Sequence, residues 1–326
     1  MWTAKDCLIA ADMATELLPT GGACFVAGLS VGWCIWSRST KTTAEPSAGA
    51  LPAVSYDRPR KLSAGLKLPS GIKMIPSMEE MMADPGARPN KLQIPAGVRE
   101  EVAARRGAEH CFAASLNPAK TALLVVDMQH CFLSDGAGHF LVKQARAVAP
   151  AINRMAAAVR AGGGKVVWIQ GLYTKECDSA WSVVHGPDSK LLATPAERQL
   201  RVEALTPGYV GHEIWDGMDM QECDLICKKR RYSAFIEGSS DLHDQLQAHG
   251  IETIVVCGTA TNVCCDSTAR DGMMLDYQVI MVEDGCAAGS DEEHSAALLT
   301  FLLMFGDVMT ADEVIRTLKT RTSPGH

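Results

Sequence analysis

The chain has no Cys-x-x-Cys pair, no long basic run, no glycine-rich loop after a strand-like segment and no internal repeat. Each absence removes a class of protein. Twelve cysteines are many, but they are scattered, and neighbours such as Cys264 and Cys265 rarely bridge each other. That usage points to a reduced, cytoplasmic protein rather than a disulfide framework. A formal net charge of -7 without a basic stripe excludes nucleic acid as a partner. Without a phosphate-cradling loop, a nucleotide cofactor is excluded too. His185, His212, His243 and His294 show no metal-ligand spacing and read as surface or core histidines. What is present is ordinary for a globular chain of 326 residues, with 47% hydrophobic and 21% charged residues.

The N-terminal third carries little pattern. Leu17 to Trp36 is uncharged and just reaches the length of a membrane-spanning helix. Pro19, the glycines, and Asp12 and Glu16 where a signal peptide would carry positive charge argue against an anchor. Gly28-Leu-Ser-Val-Gly32 matches a nucleophile elbow, but Ser/Pro-rich sequence follows where a helix should begin. Residues 37–96 read as linker or arm. The expected organisation is an extension over 1–85, unstructured or an over-long start with Met74, Met78, Met81 or Met82 as later ones. An arm with a short helix (Pro95 to Arg106) follows over 86–118, then one domain over 119–320.

From Thr121 the pattern alternates. Ala122-Leu-Leu-Val-Val126, Lys165-Val-Val-Trp-Ile-Gln170, Asp224-Leu-Ile-Cys227, Thr253-Ile-Val-Val-Cys257 and Gln278-Val-Ile-Met-Val282 read as strands. Helical spacing falls at 145–162, 241–249, 264–276, 291–304 and 314–319, with Ser290 as a cap and Thr310-Ala-Asp-Glu313 as a capping box. Residues 171–222 read as irregular, long enough to wall a pocket. Strands alternating with helices predict an α/β fold, a three-layer α-β-α sandwich on a mainly parallel sheet, with ligands at the carboxyl ends of the strands.

Three of those ends carry reactive side chains. Asp127 follows the first strand and Lys229 the third, while Cys264 follows the fourth, where a helix opens. A helix N-terminus and a nearby cation would lower the thiol's pKa. Alone, each residue has a plainer explanation: a capping Asp, a solvated Lys in Lys228-Lys-Arg-Arg231, a packed Cys like Cys223, Cys227, Cys257 or Cys265. Together they make a nucleophile, a base and a cation at one sheet edge.

Val-Val-Asp127-Met-Gln, Lys229-Arg-Arg-Tyr-Ser-Ala-Phe and Gly258-Thr-Ala-Thr-Asn-Val-Cys264-Cys-Asp-Ser-Thr-Ala-Arg-Asp resemble the isochorismatase-like cysteine hydrolases, over about Thr121 to Leu318. The resemblance implies a catalytic triad of Asp127, Lys229 and Cys264, a cis peptide between Thr259 and Ala260, and an oxyanion hole from the Ala260 and Cys264 amides. It implies no cofactor and no metal, because the Asp-x-His motif of the nicotinamidase branch is missing from Trp168-Ile-Gln-Gly-Leu-Tyr-Thr174. Gln129, Phe132, Arg231, Tyr232 and Thr261 are the candidate substrate contacts.

The implied activity is C–N hydrolysis of a small amide or ureido compound, nearest to ureidoacrylate and N-carbamoylsarcosine amidohydrolases, by a homodimer or homotetramer. One departure is Gly171, where ureidoacrylate enzymes tend to carry Asn. Two alternatives stand beside it. One is vinyl-ether hydrolysis, whose members carry Gly rather than Cys as nucleophile; the other is a non-catalytic binding protein on the same fold.

Overall fold

Six residues, Thr121–Val126, form β1, and every one of them is buried. A run with no solvent-facing alternate can only sit in the middle of a sheet covered on both faces. The computed structural model describes residues 65–138, 140–191 and 194–322. The uncharged stretch 17–36 and the Ser30 motif lie outside them. Among the described residues no helix is long and apolar enough to cross a membrane.

The other strands are β2 Lys165–Gly171, β3 Leu225–Lys229, β4 Thr253–Thr259, β5 Gln278–Ala287 and β6 Asp307–Met309. They make one sheet in the order β3-β2-β1-β4-β5-β6, and every pair is parallel. The major helices are α1 Val98–Arg106, α2 Gln144–Ala161, α3 Pro195–Leu205, α4 Leu242–Ala248, α5 Asp266–Met274, α6 Asp291–Met304 and α7 Ala311–Thr322. α2 and α7 pack together on one face, α5 and α6 on the other. This is the expected three-layer sandwich. The strand order reverses between β1 and β4, which opens a crevice beyond their carboxyl ends.

The register decides which residues border that crevice. Val126 pairs with Ile169 and with Gly258, and two rungs on Gly171 pairs with Lys229. Asp127, Lys229 and Thr259 therefore finish at nearly one height. Gly258 is required for this: its φ is 112°, and a Cβ would come within 2.1 Å of the Val126 carbonyl oxygen.

Five differences from the sequence reading matter. Residues 171–222 are not wholly irregular, for α3 lies within them, opened by Pro195 and by a Thr194/Glu197 capping box. β6 was not expected; at three residues it is too short to show a period. The helix expected from Cys264 starts earlier, with a wide π-type turn over Thr261–Cys265 leading into α5. Cys223 is exposed rather than packed, because β3 begins two residues later.

Last, part of the extension expected over 1–85 is built onto the domain. Lys67 pairs with Tyr209, and Met78–Met82 forms a capped helical turn whose Met81 carbonyl accepts a hydrogen bond from Arg146. Arg146 is fully buried, and its guanidinium also donates to Leu133 O and Asp135 Oδ2. Burying that charge is tolerated because the guanidinium is paired and hydrogen-bonded.

Candidate active site

Asp127 leaves β1 through a tight turn. Its amide still donates to Ile169 O at 2.9 Å, continuing the ladder to β2, and its carbonyl accepts from Gln129 N at 2.8 Å. Its φ of 52° is a left-handed conformation that Asp enters more readily than most residues. The side chain, 1% exposed, meets Lys229, 3% exposed: Lys229 Nζ donates to Asp127 Oδ2 at 2.8 Å and to Arg231 O at 3.2 Å. Of the four successive cations at 228–231, the alternation of β3 carries Lys229 inward. Burial alone would push its pKa down, but the Asp127 carboxylate and the Cys264 sulfur outweigh that and hold it above the ordinary lysine value. Lys229 is a fixed cation.

Cys264 comes from the turn after β4, 8% exposed, and shares a cavity of about 410 Å³ with Asp127, Lys229 and Ala260. The Thr259–Ala260 peptide is cis. Asp127 Oδ1 is buried with no hydrogen-bond partner, so it is the free acceptor at this place. The thiol itself departs from the sequence reading. Burial and the adjacent Asp127 push it up to about 12, against the opposing pull of Lys229. At neutral pH the resting group is a thiol rather than a thiolate, and it needs a base to react.

The remaining candidates divide. Phe132, Arg231 and Tyr232 line the cavity. Arg231 is already engaged, since Nη2 donates to Ala180 O at 2.7 Å and the guanidinium lies 5.4 Å from the Trp181 ring. Trp181 in turn meets Tyr232 edge-on at 4.8 Å, so the three form one wall.

Gln129 and Thr261 lie behind the wall and are not among the lining residues. Both are completely buried. Gln129 Oε1 accepts from Gly171 N at 2.7 Å and Nε2 donates to Gly171 O and His212 O, which fastens the end of β2 beside Asp127. Thr261 Oγ1 is hydrogen-bonded to His294 Nδ1 at 2.9 Å under the turn that carries Cys264. The cavity also holds residues that the sequence did not point to, among them Trp181, Glu197 and Arg201; His185, expected as a surface or core histidine, lines it as well, against Trp181 at 5.4 Å. Among the described residues no three His, Cys, Asp or Glu stand together as metal ligands.

His212 and His294 give the site an acid limit. Burial lowers each from 6.5 to about 4, with Lys228 adding to the effect at His212 and Asp291 opposing it at His294. A depressed histidine pKa means that the fold disfavours the charged ring. The stability it contributes is complete above about 6.5 and is lost as pH falls towards 4, by up to about 3 kcal/mol for each ring. Urea unfolding at pH 7 and pH 5 is expected to show the loss, and replacing both rings by Asn should flatten the difference. A wild-type protein equally stable at both values would refute this.

An isochorismatase domain profile matches residues 121–313. The ureidoacrylate amidohydrolase RutB of Klebsiella pneumoniae is 34% identical over 216 residues, covering 63% of this chain and 89% of that protein. Its counterpart in Acinetobacter baylyi is 31% identical over 215 residues, covering 64% and 87%. Among solved structures, a cysteine hydrolase from Pseudomonas syringae pv. phaseolicola superposes with a TM-score of 0.53 at 30% identity, covering 63% of this chain and 95% of that one. The matched span runs from the first residue of β1 into α7 and contains the whole sheet with all three converging side chains, and on that ground this chain belongs to the isochorismatase family.

Proposed function

We propose that this chain hydrolyses a C–N bond of a small amide or ureido compound through a thioester on Cys264. One observation carries the reading: Lys229 occupies one oxygen of the Asp127 carboxylate at 2.8 Å and leaves the other unpartnered in the cavity that holds Cys264.

In this reading Asp127 Oδ1 removes the thiol proton as Sγ attacks the carbonyl carbon, and the carbonyl electron pair moves onto oxygen. The Ala260 and Cys264 amides hold that oxyanion. The intermediate collapses, the C–N bond breaks, and Asp127 returns its proton to the leaving nitrogen, which departs as ammonia or an amine. Asp127 then takes a proton from water as the hydroxide adds to the thioester, and as the C–S bond breaks it passes that proton to Sγ, regenerating the thiol and the free carboxylate. Lys229 keeps its proton throughout and offsets the negative charge that passes between carboxylate, sulfur and oxyanion. The thiol's high pKa fits this role, because a buried thiol with a carboxylate beside it is activated only when an acceptor arrives.

The relatives named ureidoacrylate amidohydrolase support the ureido class. Gly171 sets this chain apart from the pattern expected of those enzymes; a Cβ there would lie 3.3 Å from Leu205 Cδ2 and 3.6 Å from Asp127 Oδ1, so a larger residue fits only if Leu205 shifts. Vinyl-ether hydrolysis needs no sulfur, and a binding protein needs no buried acid–ammonium pair, so neither accounts for the three together. Ammonia release should be measured against ureidoacrylate, N-carbamoyl amino acids, biuret and nicotinamide, with mass spectrometry of rapidly quenched enzyme. Turnover of at least one ureido or amide compound, with an acyl adduct on Cys264, is expected. No turnover and no adduct on any of them would defeat the proposal.

A further inference from the structure

The cavity wall carries a cation that the chemistry above does not use. Arg201 stands on α3, across the chain from the catalytic strands, and lines the same cavity as Cys264. Its Nε is buried without a hydrogen-bond partner, and among the described residues its guanidinium takes part in no hydrogen bond or ion pair. The acids of its own helix have other partners. Glu197, one turn earlier and itself on the cavity lining, accepts from Thr194 N at 2.8 Å and Thr194 Oγ1 at 3.1 Å in the helix cap. Glu203 is held by Ser70 N at 2.6 Å, Ser70 Oγ at 2.7 Å and Gln199 Nε2 at 2.8 Å. A half-buried guanidinium in a cavity also lined by Phe132, Phe140 and Leu205, with the Glu197 carboxylate of that lining committed to the helix cap, is a costly arrangement unless something else supplies the charge.

We infer that Arg201 anchors a carboxylate carried by the substrate at the end remote from the scissile bond. This rests on the amidohydrolase reading and narrows it to anionic ureido acids over neutral ureas and amides. Arg231, a candidate substrate contact in the sequence, is tied to Ala180 and Trp181. The planar fork of Arg201 suits a bidentate carboxylate, and the aromatic wall of Trp181 and Tyr232 suits a short planar body between the two ends.

The test compares 3-ureidopropionate with its neutral analogue n-butylurea in wild type, Arg201→Gln, Arg201→Lys and Arg198→Gln. Arg198 lies on the same helix outside the cavity lining and serves as the control. Arg201→Gln is expected to lower kcat/KM for the anion by about a hundredfold while changing the neutral urea less than about threefold. Arg201→Lys should recover part of the loss, and Arg198→Gln should change neither. Equal losses on both compounds, or none on the anion, would overturn the anchor while leaving the hydrolase reading intact. A second readout does not depend on turnover: calorimetric binding of 3-ureidopropionate to the Cys264→Ser protein with and without Arg201→Gln. Binding that Arg201→Gln abolishes, in a protein that hydrolyses no ureido compound, would keep the anchor and reject the amidohydrolase. Absence of binding at millimolar ligand would reject the anchor.

Discussion

Cys264→Ser is expected to lower turnover on the order of a thousandfold or more, and Asp127→Asn to do the same, with the fold retained in both. The size follows from the geometry. Cys264 is 8% exposed and its thiol is pushed up to about 12, so almost none of it is ionised at rest. In the proposed mechanism nucleophile and base act as a unit, and removing either would leave only binding and the oxyanion site. A serine hydroxyl is harder still to deprotonate. An Asn amide at 127 keeps an oxygen for Lys229 but cannot carry the proton through acylation and hydrolysis. Ammonia release measured beside thermal unfolding settles it. Residual turnover within tenfold of wild type in either variant would refute the role assigned to that residue.

Much of this site is legible in the sequence because its parts are local. A fully apolar run marks a central strand, and a strand's end marks the crevice, so Asp127 and Cys264 can be placed without coordinates. Ser290 with Glu293 and Thr310 with Glu313 announce their helices by spacing alone, and both boxes form. The Thr194-Pro-Ala-Glu197 box was equally readable, yet the glycines, prolines and tryptophans around it suggested loop, and Arg201 was lost with the helix. Other features have no local signal. The partners of Gln129 lie more than forty residues away, at Gly171 and His212, and those of Thr261 lie on α6. A polar residue next to a catalytic one therefore reads as a contact when it is a brace. The thiol's pKa depends on how much water the other elements exclude and on the Asp127 carboxylate brought beside it, neither of which the residues around Cys264 announce.

Lys229→Met is the sharper test of the electrostatics. The pair it breaks is among the most buried in the described protein, with side chains 3% and 1% exposed and 2.8 Å between Nζ and Oδ2. Removing the ammonium leaves a buried carboxylate without its counter-charge, which costs about 3–5 kcal/mol of stability. Activity should fall with it, because nothing then offsets charge on the sulfur or the oxyanion. A loss of stability alone could come from poor packing of the new side chain, and the double variant separates the two causes. Asp127→Asn with Lys229→Met removes both charges at once. If the cost is an uncompensated carboxylate, the double variant should be more stable than Lys229→Met by about 2 kcal/mol or more, a coupling that urea unfolding resolves. It should remain inactive. Additive stability losses in that cycle would mean that the ion pair is incidental to the fold. Activity retained in Lys229→Met would remove the cation from the mechanism.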